Sequence, residues 1–116
     1  MDIAKIRSEV SKFIEDRDWD QFHSVKNLSM ALNVEASELL EIFQWKTEAD
    51  SNSVASTPEL KSRVEDELAD IFVYLLRISD KTGINLEEAV LKKIQKNSAK
   101  YPVEKSKGSS KKYTEL

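Results

Sequence analysis

Apolar residues recur along most of the chain at intervals of three and four, the spacing that places them on one face of an α-helix. Four stretches follow this pattern and are predicted to be amphipathic helices. The first covers the N-terminal residues and ends before the charged run at 16–18. The second begins near Ser24, a good capping residue, and ends at about Trp45. Residues 47–57 are polar and small, which predicts a loop.

The third and fourth helices have recognisable ends. Thr57 followed by Pro58 is a cap with proline at the first helical position, and Gly83 supplies a stop. Asn85, with a glutamate three residues later, resembles a capping box and opens the fourth helix, which reaches about Tyr101. The chain is therefore predicted to be all-α.

Composition agrees with long helices and limits the fold further. The chain has 116 residues, of which 34% are charged and only two are glycine and two proline, so one helical domain is expected rather than many short strands. We predict that residues 1–104 form a four-helix bundle-like domain. Residues 105–116, which contain four lysines, are predicted to form a basic, flexible tail.

Charge and cysteine content exclude several classes of protein. Without cysteine there is no disulfide framework and no thiolate site for a metal. The net charge of -3 argues against general binding to nucleic-acid backbones. The start lacks the apolar core of a signal peptide, and no stretch has the roughly 18 apolar residues of a membrane-spanning helix. We therefore expect a cytoplasmic protein that binds neither nucleic acid nor membrane.

Acidic residues interrupt the apolar stripes of the second and third helices. Glu35 and Glu67 lie within these stripes, and Glu38 and Asp70 lie at their edges. An unpaired carboxylate in apolar surroundings is unfavourable, so a cation is expected nearby. Oxygen ligands without sulfur or imidazole favour Mg²⁺, with Mn²⁺ as a substitute.

Two alternatives to a magnesium site are consistent with buried acidic residues. Glu35 and Glu67 could instead pair with arginine or lysine, but the occurrence of two such pairs on core-facing sides favours the metal. A di-iron bundle requires Glu-x-x-His pairs, and the only histidine, His23, lies outside the acidic motifs. Glu41 lies further around the second helix, where its simplest role is a solvated charge.

A family resemblance is carried by three segments, VEASELLEIFQW, EDELADIFVYLL and KNSAKYP. They resemble the MazG-like, all-α nucleotide pyrophosphohydrolase superfamily and, within it, the dCTP pyrophosphatases. The resemblance extends from RDWDQFH at 17–23 to KKYTEL at 111–116. It implies a MazG fold assembled as a homodimer or homotetramer. It also implies Mg²⁺-dependent cleavage of a nucleoside triphosphate, dCTP-like in particular, to a monophosphate and pyrophosphate in nucleotide-pool house-cleaning.

The same resemblance assigns roles to residues. It makes magnesium ligands of the four carboxylates that the helical pattern singled out, and a nearby carboxylate is expected to take a proton from the attacking water, Glu38 first and Glu41 second. The candidates for the base pocket are Trp19, Phe22, His23, Trp45 and Tyr74. The other substrate-binding candidates are Lys93 and Asn97, as phosphate or sugar contacts, and Tyr101.

Other interpretations of these residues remain open. Aromatic residues at helical spacing are more often core residues, Lys93 could be a solvated lysine, and Asn97 could bond the end of its helix. At the level of function, the chain could be a non-enzymatic interaction module whose buried acids bind a basic partner. Nucleic-acid binding through the lysines of the tail is a third interpretation.

Overall fold

The computed structural model describes residues 1–116 as helices and turns, without a β-strand. The helices are α1 (Ile3–Asp16), α2 (Val25–Phe43), α3 (Glu48–Ser51), α4 (Pro58–Thr82), α5 (Leu86–Lys100) and α6 (Val103–Ser106), with 3₁₀ turns at Asp20–Phe22, Val54–Ser56 and Tyr113–Glu115. The all-α prediction is confirmed, and the four predicted helices correspond to α1, α2, α4 and α5. None of the helices combines the length and apolar composition that crossing a bilayer requires.

The chain divides into two compact units, residues 1–82 and residues 83–116. In the first unit, α2 and α4 form the most extensive helix pair. The buried apolar side chains all belong to this unit and are Ile14, Leu28, Ile42, Leu60 and Leu76. The second unit contains α5 and α6. The predicted division into a domain of residues 1–104 and a tail stays a prediction.

Several predicted helix ends are confirmed by hydrogen bonds. The Ser24 hydroxyl accepts a hydrogen bond from the backbone N–H of Asn27 at 3.1 Å, and so caps α2. The Asn85 side chain accepts from the backbone N–H of Glu88, also at 3.1 Å, and caps α5. Gly83 follows the last residue of α4 with φ of +68°, a left-handed conformation that favours glycine and ends the helix.

The prediction of a loop over residues 47–57 is wrong, because α3 and a 3₁₀ turn lie within it. The Thr47 hydroxyl accepts from the backbone N–H of Asp50 at 3.1 Å and caps α3. The Ser53 hydroxyl donates to the Asp50 carbonyl at 2.7 Å, and the Thr57 hydroxyl donates to the Ser53 carbonyl at 2.9 Å. Small hydroxyl side chains therefore form hydrogen bonds with the backbone N–H and C=O groups of short helical turns. The composition of this segment also suits a loop.

A sharp change of direction follows α1. Asp18 has φ of +53°, a left-handed conformation that aspartate tolerates better than most residues. The Gln21 amide donates to the Asp18 carboxylate at 3.0 Å and to the Asp18 carbonyl at 2.9 Å, which holds this turn. The chain then enters the short 3₁₀ turn, which is flanked by Trp19 and His23.

Candidate functional site

Three carboxylates from α2 and α4 converge. One oxygen atom from each of Glu35, Glu38 and Glu67 lies within 4.8 Å of the others. Glu35 and Glu38 share a face of α2 because they are three residues apart, and the pairing of α2 with α4 brings Glu67 to that face. Glu35 and Glu67 are half-buried, whereas Glu38 is exposed. We call these three residues the acidic cluster.

No lysine or arginine forms an ion pair with the acidic cluster. The Oε2 atoms of Glu35 and Glu67 are buried without a hydrogen-bond partner. The ion pairs of the chain lie elsewhere and are Arg7–Asp80, Lys12–Asp16, Arg77–Asp20 and Lys81–Asp20. The alternative in which Glu35 and Glu67 form structural ion pairs is therefore wrong for this structure. Such unpaired acceptors require an explanation.

Burial and the neighbouring carboxylates Glu38 and Asp70 favour the protonated forms of Glu35 and Glu67. The pKa of Glu35 is raised to about 7, first by burial and then by its interaction with Glu38, with smaller effects from Glu67 and Asp70. The pKa of Glu67 is also raised, with burial as the largest cause. A cation placed among these oxygens would instead lower the pKa of both glutamates, because it favours their charged forms. The acidic cluster is thus compatible with a divalent metal ion.

Asp70 and Glu41 lie beside the cluster. Asp70 does not contribute an oxygen to the group of three, but its charge raises the pKa of both Glu35 and Glu67. Glu41 lines a cavity of about 270 Å³ next to Glu38 and Glu67. The other residues of this cavity are Ile42, Arg63 and Asp66. Arg63 and Asp66 were not among the predicted site residues, although each lies close to Glu67 on α4.

A larger cleft of about 750 Å³ lies between α1, α4 and the segment that joins α1 to α2. Four of the predicted site residues line it, namely Trp19, His23, Asp70 and Tyr74. The Trp19 ring meets the Phe13 ring edge-on, with 5.6 Å between the ring centres. The remaining residues of the lining are Glu9, Val10, Lys12, Phe13, Ile14, Asp16, Arg17, Val73 and Arg77. Since Asp70 also acts on the acidic cluster, the cleft and the cluster are neighbours.

Asp20 connects the turn that carries Trp19 and His23 to α4 through two ion pairs. The Asp20 Oδ1 atom accepts hydrogen bonds from Arg77 Nη2 at 2.8 Å and from Lys81 Nζ at 2.7 Å. The bonds from Lys81 and Arg77 lower the pKa of Asp20. The sequence analysis did not predict these two ion pairs of Asp20. The helical period did offer one signal for Arg77, because this residue follows Asp70 by seven positions and so lies on the same face of α4.

Two aromatic side chains of the cleft region have shifted acid–base properties. The pKa of His23 is lowered, first by burial and then by the positive charge of Arg77, so the imidazole is neutral at pH 7. The pKa of Tyr74 is raised, first by burial and then by the charges of Glu35 and Asp70. Both residues therefore present neutral hydrogen-bonding groups to the cleft at neutral pH.

The remaining predicted site residues line neither cavity. Trp45 lies beyond the end of α2, is 90% exposed and lines neither cavity, and Phe22 is 60% exposed and also lines neither. Lys93 and Asn97 are exposed residues of α5 in the second unit. Tyr101 follows α5 and packs edge-on against Tyr113, with 6.1 Å between ring centres. The substrate-binding roles of these residues stay predictions.

Comparison with known proteins places this geometry in context. A model of the MazG-like family matches residues 30–116. The chain is 38% identical over 115 residues to dCTP pyrophosphatase 1 of Homo sapiens and 39% identical to that of Rattus norvegicus. Each comparison covers 99% of this chain and 66% of the relative, so the chain spans about two thirds of their length. A pyrophosphatase from Archaeoglobus fulgidus, solved by crystallography, is 37% identical with a TM-score of 0.78, covering 88% of this chain and 94% of that one.

Proposed function

We propose, on the ground that this chain belongs to the MazG-like family, that it hydrolyses nucleoside triphosphates to a monophosphate and pyrophosphate. The names of the relatives support this reaction, since they are called dCTP pyrophosphatases and a pyrophosphatase. The observation that carries the proposal is the acidic cluster, in which two buried carboxylate oxygens have no partner. Removal of noncanonical or surplus nucleotides is the role that fits this reaction.

The acidic cluster fits Mg²⁺, with Mn²⁺ as a substitute. Its donors are all carboxylate oxygens, the ligands that hard divalent cations prefer, and Mg²⁺ in proteins is completed by waters and substrate phosphates. Glu35, Glu38 and Glu67 would hold the ion, and Asp70, whose charge already acts on two of them, is proposed as the fourth ligand. When bound, Mg²⁺ supplies Lewis-acid chemistry and neutralises phosphate charge.

The protein's own carboxylates supply the proton acceptor. We assign this role first to Glu38, which is exposed and belongs to the acidic cluster, and second to Glu41. Both line the smaller cavity together with Glu67, so either side chain lies next to the proposed position of the phosphates. A carboxylate at this place removes a proton from the attacking water and holds it until the product leaves.

The larger cleft is proposed to bind the nucleobase. Its volume of about 750 Å³ falls within the usual range for small-molecule sites, and its walls carry Trp19 and Tyr74, whose rings can stack on a base. Asp70 lines this cleft and influences the acidic cluster, so a base bound in the cleft would lie next to phosphates held at the metal. We propose dCTP as the first substrate to test because of the names of the relatives.

A homodimer or homotetramer is also proposed. Apolar side chains remain exposed in both units: Leu68 and Leu75 lie on one face of α4 and are 52% and 38% exposed, and Val90 and Ile94 lie on one face of α5 and are 54% and 53% exposed. Association of identical chains would cover such surfaces. Light scattering on a gel-filtration column measures the mass directly, and a mass of 13.3 kDa would contradict the proposal.

The test of the function is a product analysis. The protein is incubated with each canonical and modified nucleoside triphosphate, with and without Mg²⁺, and the products are separated by chromatography. We expect a monophosphate and pyrophosphate only in the presence of metal. Release of orthophosphate, turnover without metal, or no turnover of any nucleotide would contradict the proposed reaction, and the last result would favour the non-enzymatic interaction module.

A further inference from the structure

Arg77 is a buried cation with an unused hydrogen-bond donor. Its side chain is 9% exposed, and its Nη2 atom donates to Asp20 Oδ1 at 2.8 Å. Its Nε atom is buried and has no hydrogen-bond partner. A buried donor without an acceptor is unfavourable and uncommon, so a ligand atom that accepts from Nε would remove this cost.

The position of Arg77 indicates which kind of acceptor this is. Arg77 lines the larger cleft together with Trp19, His23 and Tyr74. These neighbours suit the flat face and polar edge of an aromatic heterocycle better than a phosphate group. The negative charge of Asp20, whose Oδ1 atom accepts directly from the guanidinium, also reduces the attraction of Arg77 for a second anion. A neutral acceptor, such as a ring nitrogen or a carbonyl oxygen, satisfies Nε without this penalty.

We propose that Arg77 is a specificity-determining residue that donates a hydrogen bond from Nε to an acceptor atom of the substrate's nucleobase. The inference rests on the proposed function, because it requires a nucleotide in the cleft. Asp20 is a positioning residue in this scheme. By accepting from Nη2, it fixes the plane of the guanidinium and leaves Nε for the base.

The test compares substrates with and without a base. Wild-type protein and Arg77→Lys are assayed with the four canonical deoxynucleoside triphosphates and with a deoxyribose triphosphate in which hydrogen replaces the base. Lysine retains the charge that pairs with Asp20 but has no Nε donor. We expect kcat/KM for the preferred nucleotide to fall about tenfold or more, mainly through KM, while kcat/KM for the baseless substrate stays unchanged.

A matched control is available in Arg7→Lys. Arg7 donates from Nε to Asp80 at 2.7 Å in an exposed ion pair, and it does not line the cleft. This variant makes the same chemical change and is expected to leave both substrates unaffected. Arg77→Met, which has no donor, is a second variant in case lysine alters the packing. The ratio of kcat/KM between the two substrates is the readout, because a loss of folded protein lowers both values together.

Two results would overturn the role of Arg77. An equal loss for the baseless substrate would mean that Arg77 acts on the phosphates or on the fold. Unchanged kcat/KM for every nucleotide in both Arg77 variants would mean that Nε does not contact the base. These results differ from a failure of the proposed function, which would appear as the absence of turnover by the wild-type protein.

Discussion

Glu35 on α2 and Glu67 on α4 each leave Oε2 buried without a hydrogen-bond partner, although the two side chains contribute oxygens to one group within 4.8 Å. Two carboxylates in this relationship oppose folding unless protons or a cation neutralise them. The acidic cluster therefore lowers the stability of the metal-free protein, as expected of residues kept for the proposed function. This conflict has consequences that can be measured.

The stability of the metal-free protein is expected to depend on the protonation of Glu35. Its folded pKa is raised from 4.5 to about 7, so between these values the folded state binds more protons than the unfolded state. The free energy of unfolding therefore falls as the pH rises through this interval. With chelator present, Glu35→Gln should match wild type near pH 5 and exceed it by a few degrees in melting temperature above pH 7.

The comparison with Glu35→Gln is necessary because other groups titrate in the same interval. His23 acts in the opposite direction, since its lowered folded pKa makes the folded state less able to bind a proton. Both proteins contain His23, so its contribution cancels in the difference between their melting curves, which reports Glu35 together with its neighbour Glu67. A difference that does not grow with pH, or a variant less stable than wild type at pH 8, would contradict the unpaired burial of this carboxyl group.

Replacement of Glu67 is expected to weaken metal binding and to retain the fold. Glu67→Gln removes one charge from the acidic cluster, and Glu65→Gln removes one from an exposed position of the same helix. Titration calorimetry with Mn²⁺ should show affinity lowered at least about tenfold for the first variant only. Circular dichroism should show unchanged helix content in both. Equal metal affinity in the two variants would remove Glu67 from the ligand set.

The helices could be predicted from the sequence because their signals are local. Ser24 and Asn85 cap α2 and α5 as expected, and the helical period places Glu35 and Glu67 in apolar stripes before any contact is known. The ion pair of Asp20 with Arg77 joins residues 57 positions apart. This ion pair depends on the direction that the chain takes after the left-handed residue Asp18. A periodic pattern of apolar residues does not indicate that direction.

Residue type and composition alone could not predict the positions of the aromatic candidates or the structure of residues 47–57. Trp19 and Trp45 could not be separated by residue type, because only the path of the chain shows that the first lines the cleft and that the second is 90% exposed. Hydroxyl-rich residues 47–57 suit a loop and a series of short capped turns equally, and the hydrogen bonds of Thr47 and Ser53 decide between them.

The two proposed proton acceptors can be separated by kinetics. Glu38→Gln removes both a proposed ligand oxygen and the proton acceptor that we propose first, so kcat should fall roughly 10²- to 10⁴-fold even at saturating metal. Glu41→Gln changes a residue that lines the same cavity but lies outside the acidic cluster, and it should keep most of its kcat and its metal affinity. A large loss of kcat in Glu41→Gln with unchanged metal affinity would transfer the role to Glu41.

The electrostatic link between Asp20 and His23 can be tested without any assay of activity. His23 is the only histidine of the chain, so proton NMR follows its imidazole without ambiguity. Its pKa should lie below 6.5, chiefly because of burial and then because of the charge of Arg77.

Asp20 raises this pKa and Lys81 lowers it, so Asp20→Asn should move the value further down and Lys81→Met should move it up. Opposite signs in the two variants distinguish a charge effect from a loosened turn, which would expose the ring and raise the pKa in both. A value at or above 6.5 in the wild-type protein would contradict the expectation that burial and the charge of Arg77 outweigh the charge of Asp20 at this imidazole.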